Sequence, residues 1–212
     1  MQPWTAEFGT FWALQPEAGP PPVYSAELSP TFHEAGQADI ENLVTAMNLP
    51  SATLIEERFQ GKRRCFCFMH DGRIISYGWV THGQEHVGEM ERHFNLHPDE
   101  AYIWHCGTIP EWQRKGLYSA LLNKIIYRLA EEGTTATIWI GASRLNQPSI
   151  QGIANAGFKR VLDATYRRIL YLTFMWFKTA VTNQPAMIPD AQRIMLKSSE
   201  KLIGNLAIGW HK

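Results

Sequence analysis

The stretch that decides the fold reads Cys106-Gly-Thr-Ile-Pro-Glu-Trp-Gln-Arg-Lys-Gly-Leu-Tyr-Ser-Ala-Leu-Leu and continues to Glu132. A strand-like run, 102–108, leads into it. Beyond the glycine at position 116, apolar residues recur at helical spacing, at Leu117, Leu121, Ile125 and Leu129. Gly133 follows where a left-handed C-cap would end a helix. The sequence therefore predicts a strand, a tight turn and a long helix in succession.

Two cations, Arg114 and Lys115, stand at the start of this predicted helix, where the helix dipole is already positive. A cation in that place costs roughly 0.3–1 kcal/mol unless an anion binds there. The backbone N–H groups of the first turn and Gly116, which allows close approach of a ligand, complete a pattern typical of an anion site. A solvated helix start with two surface cations is the alternative at this point.

Length and composition fit one globular domain with extensions: 212 residues, 45% of them hydrophobic and 19% charged. Because 20 basic residues balance 20 acidic ones, a general nucleic-acid or membrane-surface binder is disfavoured. The N-terminus lacks a signal-peptide pattern, and the longest apolar run, 169–177, is far short of the ~20 residues of a membrane span. Three cysteines, two of them spaced C-x-C, do not suggest a disulfide framework. We therefore expect a cytoplasmic protein.

The remaining secondary-structure signals predict a mixed arrangement of helices and strands. Asp71-Gly72 separates two apolar runs, 63–70 and 73–82, which is a strong hairpin signal. A polar segment follows in which 87–94 could form a strand. The other predicted elements are short helices at 39–48 and from 51, a strand at 136–140, a helix at 148–156, strands at 159–166 and 169–177 split by Arg167-Arg168, and a tail helix at 191–203.

Two segments follow patterns that occur together in a known family. Gln113-Arg-Lys-Gly116 matches Gln/Arg-x-x-Gly-x-Gly/Ala, although Tyr118 replaces the small residue expected last. Asn146-Gln-Pro-Ser-Ile150 and Gly157-Phe158 match a second segment, Asn-x-x-small-Ile running to Gly-Phe. In this order and spacing, the motifs resemble the GNAT superfamily, the acetyl-CoA-dependent N-acetyltransferases. The resemblance covers roughly residues 31–177.

The resemblance implies an α/β (α+β) fold with a mixed, mostly antiparallel central sheet flanked by helices. In it, the strands at 102–108 and 136–140 would form a parallel pair that splays apart. With composition and element order, it divides the chain into a proline- and aromatic-rich arm over 1–30, a GNAT-like domain over 31–177, and an extension with a short helix over 178–212.

Acetyl-CoA is the co-substrate that the resemblance implies, and no metal is expected. Its pyrophosphate would lie on the backbone of the turn, and its pantetheine arm beside the strand ending at Thr108-Ile109. The implied cofactor-binding residues are Thr108, Ile109, Gln113, Arg114, Lys115, Gly116, Leu117, Tyr118, Ser119, Asn146 and Ser149.

Candidate catalytic residues follow from the family's use of a Glu or His on the fourth strand as general base. Tyr102 and Trp104 occupy those positions here. His105 is adjacent, but strand alternation turns it to the other face unless a bulge re-aims it. Glu89 could reach in from a neighbouring strand. The candidates are therefore His105, Tyr102 and Glu89, with a buried, hydrogen-bonded histidine and a surface carboxylate as the alternatives for His105 and Glu89.

A tyrosine just before the Gly-Phe pair protonates the leaving thiolate in many family members. Ile153 occupies that register in this chain. Departure of the thiolate would then depend on water, on another tyrosine, or on no acid at all.

The leading hypothesis is an N-acetyltransferase that moves acetyl from acetyl-CoA to a primary amine of a small molecule or peptide by direct attack. A GNAT-like module that binds CoA or a partner without efficient catalysis is the alternative. A metal-dependent hydrolase is a third, because His82/His86 and His93/His97 have i,i+4 spacing. No nucleic-acid or membrane partner is expected, and a homodimer is an open option.

Overall fold

The structure is a computed structural model that describes residues 7–17, 30–88, 92–169, 172–179, 185–197 and 199–210. The strands are, in chain order, β1 Glu7–Leu14, β2 Thr31–Ala35, β3 Arg64–His70, β4 Arg73–Thr81, β5 Gln84–Val87, β6 Arg92–Asn95, β7 Glu100–Thr108, β8 Thr137–Ser143, β9 Lys159–Ile169, β10 Leu172–Thr179, β11 Lys201–Ile203 and β12 Leu206–Trp210. The helices are α1 Ile40–Ala46, α2 Thr53–Gln60, α3 Leu117–Glu132, α4 Gln147–Asn155 and α5 Ile188–Met195.

The chain forms two compact units. The first unit comprises residues 15–82 and 99–138, and the second comprises 1–14, 83–98 and 139–212. In the first unit, the strands pair antiparallel in the order β7-β4-β3-β2.

Helices cover both faces of the first unit's sheet. Tyr77 and Trp79 of β4 point to one face, where they join a core that includes residues of α1 and α2. Gly78 points to the other face, where a Cβ added to it would lie 3.2 Å from Ile125 of α3. This alternation is the ordinary two-residue period of a strand.

The β3–β4 turn and α3 agree with the sequence predictions. Asp71 and Gly72 have φ of 49° and 73°, as a two-residue hairpin turn of the I′ type requires. Helix α3 ends at Gly133, which has a φ of 68° and donates its N–H to the carbonyl oxygen of Ala130. Both predictions are confirmed. Each depends on a glycine, which adopts a positive φ without steric cost.

The second unit is also built around antiparallel strands. Its strands are ordered β11-β12-β10-β9-β1, and β8 lies next to β1. Strands β5 and β6 form a separate two-stranded sheet. Helix α5 packs against β6 and β9.

Three sequence predictions in this unit are wrong. Arg167-Arg168 does not split two strands: β9 runs through both residues, and Arg167 pairs with Phe174. The tail helix is α5, which is shorter and begins earlier than the predicted 191–203. It begins earlier because Pro189 suits a first helical turn. It cannot extend to 203 because Gly204, with a φ of 60°, lies between two paired strands. Residues 87–94 contribute to two strands, β5 and β6, instead of one.

The proline-rich arm contains a strand that the sequence reading missed. Strand β1 pairs antiparallel with β9, from Glu7 opposite Tyr166 to Ala13 opposite Lys159. Pro16 lies outside it, where it removes no ladder hydrogen bond.

The predicted fold class is confirmed: the protein is a mixed α/β protein whose sheets are mostly antiparallel and flanked by helices. The splay between 102–108 and 136–140 stays a prediction, as does the three-part division at residues 30 and 177. Within the described ranges, we find no helix with both the length and the apolarity of a membrane span.

Candidate functional site

The turn before α3 has an unusual backbone. Arg114 and Gly116 both have positive φ, 60° and 73°. The first backbone hydrogen bond of the helix runs from Ala120 N to Gly116 O (3.1 Å), so the amides before it point out of the helix end. A Cβ added to Gly116 would meet no described heavy atom within 4 Å. Among the described residues, the space beside Gly116 is therefore open, as an anion site requires.

Side chains around the turn hold it in place. Gln113 donates from its amide nitrogen to the carbonyl oxygen of Thr108 (3.0 Å), which ties the turn to the end of β7. The indole ring of Trp112 lies 4.5 Å from Lys115 Nζ and 4.6 Å, centroid to centroid, from the ring of His70. The ammonium over the indole face is a cation–π contact. Gln113, Trp112 and Lys115 therefore have local structural partners.

Strand β7 carries a β-bulge next to this turn. Trp104 pairs with Trp79 and Gly107 pairs with Tyr77, so three steps on β7 match two on β4. His105 is the residue that absorbs the mismatch, with a φ of 42°. A bulge leaves its extra residue out of the ladder and turns its side chain. His105 is exposed, so the buried-histidine interpretation is wrong.

A buried arginine approaches His105 from α2. Arg58 Nη2 lies 2.7 Å from Nδ1 of His105, and Arg58 is only 7% exposed. Its guanidinium carbon is 4.8 Å from the ring of Trp79 and 4.5 Å from that of Trp104. These aromatic contacts allow a charged group to be buried in this core.

Tyr77 covers the backbone on the other side of the bulge. A Cβ added to Gly107 would collide with the Tyr77 ring and hydroxyl, so the ring lies directly over this glycine. Burial is the largest cause of the raised pKa of Tyr77. Ser76, the residue before Tyr77 on β4, donates from Oγ to the carbonyl oxygen of Gly107 (3.0 Å). The close approach explains why position 107 has no side chain.

The structure describes two of the three predicted catalytic residues. His105 lies at the bulge, whereas Tyr102 is buried within β7 opposite Thr81. Glu89 lies outside the described residues. Ile153, at the register where the family places a tyrosine, is fully buried in α4.

The predicted cofactor-binding residues fall into two groups. Thr108 to Ser119 lie at the end of β7 and the start of α3, in the first unit. Asn146 and Ser149 lie in the second unit, where the Asn146 side-chain oxygen accepts from Ser149 N (3.1 Å) and caps α4. Such a cap is sufficient reason for an asparagine at this position. Their role in binding CoA stays a prediction.

The sequence reading missed Arg58 and Tyr77. Arg58 follows two glutamates and resembles a surface residue. However, it lies three positions after Ile55 and one before Phe59, on the face of α2 that enters the core. This helical spacing is the sequence signal that Arg58 is buried. The sequence contains no signal for the role of Tyr77, because an aromatic residue in a buried strand is most often part of the core.

One histidine of each pair proposed as metal ligands lies in the two-stranded sheet. His86 of β5 faces His93 of β6, with ring centroids 5.0 Å apart. Among the described residues, no three His, Cys, Asp or Glu side chains meet as a metal-ligand group.

A family model described as the acetyltransferase (GNAT) family matches residues 31–158. The chain belongs to the GNAT acetyltransferase family. The sequence-based recognition of this superfamily is confirmed, and the protein is an acetyltransferase. The family implies acetyl-CoA as co-substrate.

Two curated relatives of this GNAT protein are N-acetyltransferases. One is the ribosomal protein bS18-alanine N-acetyltransferase of Escherichia coli, 29% identical over 129 residues, with 59% of this chain and 82% of the relative covered. Another is an uncharacterized N-acetyltransferase of Mycobacterium tuberculosis, 27% identical over 120 residues, with 57% of this chain and 68% of the relative covered.

Solved structures share the fold. The crystal structure of the Escherichia coli ribosomal-protein-S18-alanine N-acetyltransferase superposes with a TM-score of 0.51 at 21% identity, over 68% of this chain and 84% of that one. A GNAT-family acetyltransferase from Colwellia psychrerythraea gives a TM-score of 0.52 at 12% identity, over 77% of this chain and 56% of that chain. The GNAT protein therefore spans little more than half of the Colwellia structure.

Proposed function

We propose that this GNAT protein transfers acetyl from acetyl-CoA to a primary amine of a peptide or small molecule. The observation that carries the proposal is the open turn at Arg114–Gly116, which leads directly into α3 and carries two cations. Such a turn suits a pyrophosphate, because backbone N–H groups and positive charge converge on it. The bulge at His105 lies on β7, the strand that leads into this turn. The pantetheine arm would run beside that strand and bring the thioester close to the bulge.

An α-amino group is the acceptor we favour. The Escherichia coli relative is named for acetylating an alanine of a ribosomal protein, and this supports a peptide N-terminus. Chemistry supports it as well: an α-amino group has a pKa of about 8 and a lysine of about 10.4, so the attacking free base is roughly 200-fold more abundant for the former at neutral pH. A cytoplasmic location and a homodimer stay predictions.

The binding half of the proposal is tested at the two ends of α3. Acetyl-CoA at a hundredfold excess over its Kd should stabilise the protein by about 2.7 kcal/mol. Gly116→Asp should abolish that stabilisation, because it places a side chain and a negative charge in the turn. Gly133→Asp is the matched control, since Gly133 also has a positive φ and ends the same helix. The measurement is the melting shift on adding acetyl-CoA, and an unchanged shift in Gly116→Asp would overturn the assignment.

The catalytic half is tested by thiol release with three acceptors: a peptide beginning with alanine, the same peptide with a blocked N-terminus and one lysine, and a small primary amine. We expect CoA release only when an amine is present, and fastest with the free N-terminus. Binding of acetyl-CoA without release for any acceptor would support the non-catalytic module instead. Faster release with the lysine peptide would contradict the α-amine preference.

A further inference from the structure

The hydrogen bond between Arg58 and His105 fixes which nitrogen of the histidine carries a proton. Arg58 Nη2 lies 2.7 Å from Nδ1, and a guanidinium group can donate but cannot accept. Nδ1 must therefore accept with its lone pair. A neutral imidazole has one N–H, so the proton of His105 is on Nε2.

The side chains around His105 restrict its ring. Arg58 cannot move easily, because it is buried and its guanidinium lies over the rings of Trp79 and Trp104. The ring centroids of Tyr77 and Trp104 are 6.0 Å and 6.1 Å from that of His105. The histidine is thus held in one orientation at the bulge before any substrate arrives, as an electrostatic catalyst requires.

We infer that His105 is a hydrogen-bond donor to the reacting acyl group instead of a general base, and that Arg58 is the residue that positions it. The inference rests on the proposed function. A base must accept a proton, but Nε2 already holds one and Nδ1 accepts from Arg58. The buried guanidinium also adds positive charge beside the site, which favours the negative charge that develops on the acyl oxygen.

The reaction step balances without proton transfer by His105. The amine nitrogen forms a bond to the thioester carbonyl carbon, and the carbonyl electron pair moves to oxygen, where Nε2–H donates to it. When the carbonyl re-forms, the carbon–sulfur bond breaks and its electron pair leaves on sulfur. The nitrogen loses its extra proton to water, and the thiolate takes one from water.

Two substitutions of His105 distinguish a donor from a base. Glutamine places an amide N–H close to the position of Nε2 but cannot take up a proton at neutral pH. We expect His105→Gln to keep kcat within about fivefold of wild type and His105→Ala to lose about 100-fold, in the range of a lost oxyanion donor. Equal large losses would identify a base, and two unchanged rates would remove His105 from catalysis. Either result overturns the inference.

The role of Arg58 is tested by a measurement that needs no substrate. In the wild-type protein with ¹⁵N-labelled histidine, the His105 resonances, assigned by their loss in His105→Gln, should report protonated Nε2 and unprotonated Nδ1 at pH 7. Arg58→Met keeps an apolar chain over the tryptophans but removes the donor. It should mix the two tautomers and lower kcat without changing the KM for acetyl-CoA. A protonated Nδ1 in wild type would overturn the inference. Absence of turnover in wild type would defeat the proposed function alone.

Discussion

At the scale of single residues, two chemically different neighbours at the bulge point away from each other. His105 is turned outward, whereas the sulfur of Cys106 is directed towards α3, 3.1 Å from the position a Gly78 Cβ would take. Burial raises the pKa of Cys106 to about 12. Because the thiolate is the nucleophilic form, this cysteine is a protonated, unreactive neighbour of the site at neutral pH. This supports direct attack by the amine without an acyl-enzyme.

Cys106→Ala should therefore keep turnover within about threefold of wild type, and neither protein should show a burst of CoA release. The native thiol should also resist iodoacetamide at pH 8 and react after denaturation, as measured by peptide mass spectrometry. Because the fold favours the thiol, its contribution to stability is present below the unfolded pKa near 9 and declines as pH rises towards 12. Rapid native alkylation at pH 8 would contradict this account.

At the scale of elements, one arginine ties two strands and a helix together in the first unit. Arg64 of β3 donates to Glu34 of β2 (2.7 Å) and to Glu132 at the end of α3 (2.7 Å). The hydrogen bond from Arg64 is the largest cause of the lowered pKa of Glu132. All three side chains are partly exposed, so the network is screened by solvent.

Arg64→Met should destabilise the protein by about 1 kcal/mol at pH 7 and by less at pH 3. The sign follows from the lowered pKa of Glu132: the stabilisation is present above the unfolded pKa near 4.5 and is lost as pH falls through the folded value. Arg73→Met, at an exposed position on β4, is the control and should change stability little at either pH. Urea denaturation measures both, and a pH-independent loss in Arg64→Met would argue against an ionic origin.

At the scale of the whole molecule, the C-terminal residues belong to the core of the second unit. Arg92 of β6 and Glu200 make two contacts of 3.0 Å, with side chains 0% and 1% exposed. Arg92 also donates to the carbonyl oxygen of Met195 (2.6 Å), and its guanidinium lies 5.0 Å from the ring of Tyr166. Glu200 therefore neutralises the buried charge of Arg92, a residue more than 100 positions earlier in the sequence.

Glu200→Gln should destabilise the protein by about 3–5 kcal/mol, because it leaves the guanidinium buried without its counter-charge. Arg92→Met alone should cost a similar amount. The double variant Arg92→Met/Glu200→Met should be more stable than either single variant, since it removes both charges and fills the space with apolar groups. Denaturant unfolding of the three variants measures this, and strictly additive losses would contradict a coupled buried pair.

The parts of the structure that could be predicted from sequence are those decided by nearby residues. The turn at Asp71-Gly72 and the end of α3 at Gly133 depend on local φ preferences, and both were predicted at the correct residue. The β1 strand, the continuous β9 through Arg167 and the C-terminal strand pair depend on partners far along the chain. Their pairing outweighs the local proline and charge signals that suggested breaks.

The candidate site divides in the same way. By itself, the sequence determined the β7–turn–α3 unit and with it the family, because glycine spacing and helical periodicity act over a few residues. Only the tertiary structure decided that a bulge exposes His105, that Arg58 from α2 is buried against two tryptophans to meet it, and that Tyr77 covers Gly107. These relations depend on which strand faces which and on where a charge finds aromatic neighbours in a packed core, and no local pattern specifies them.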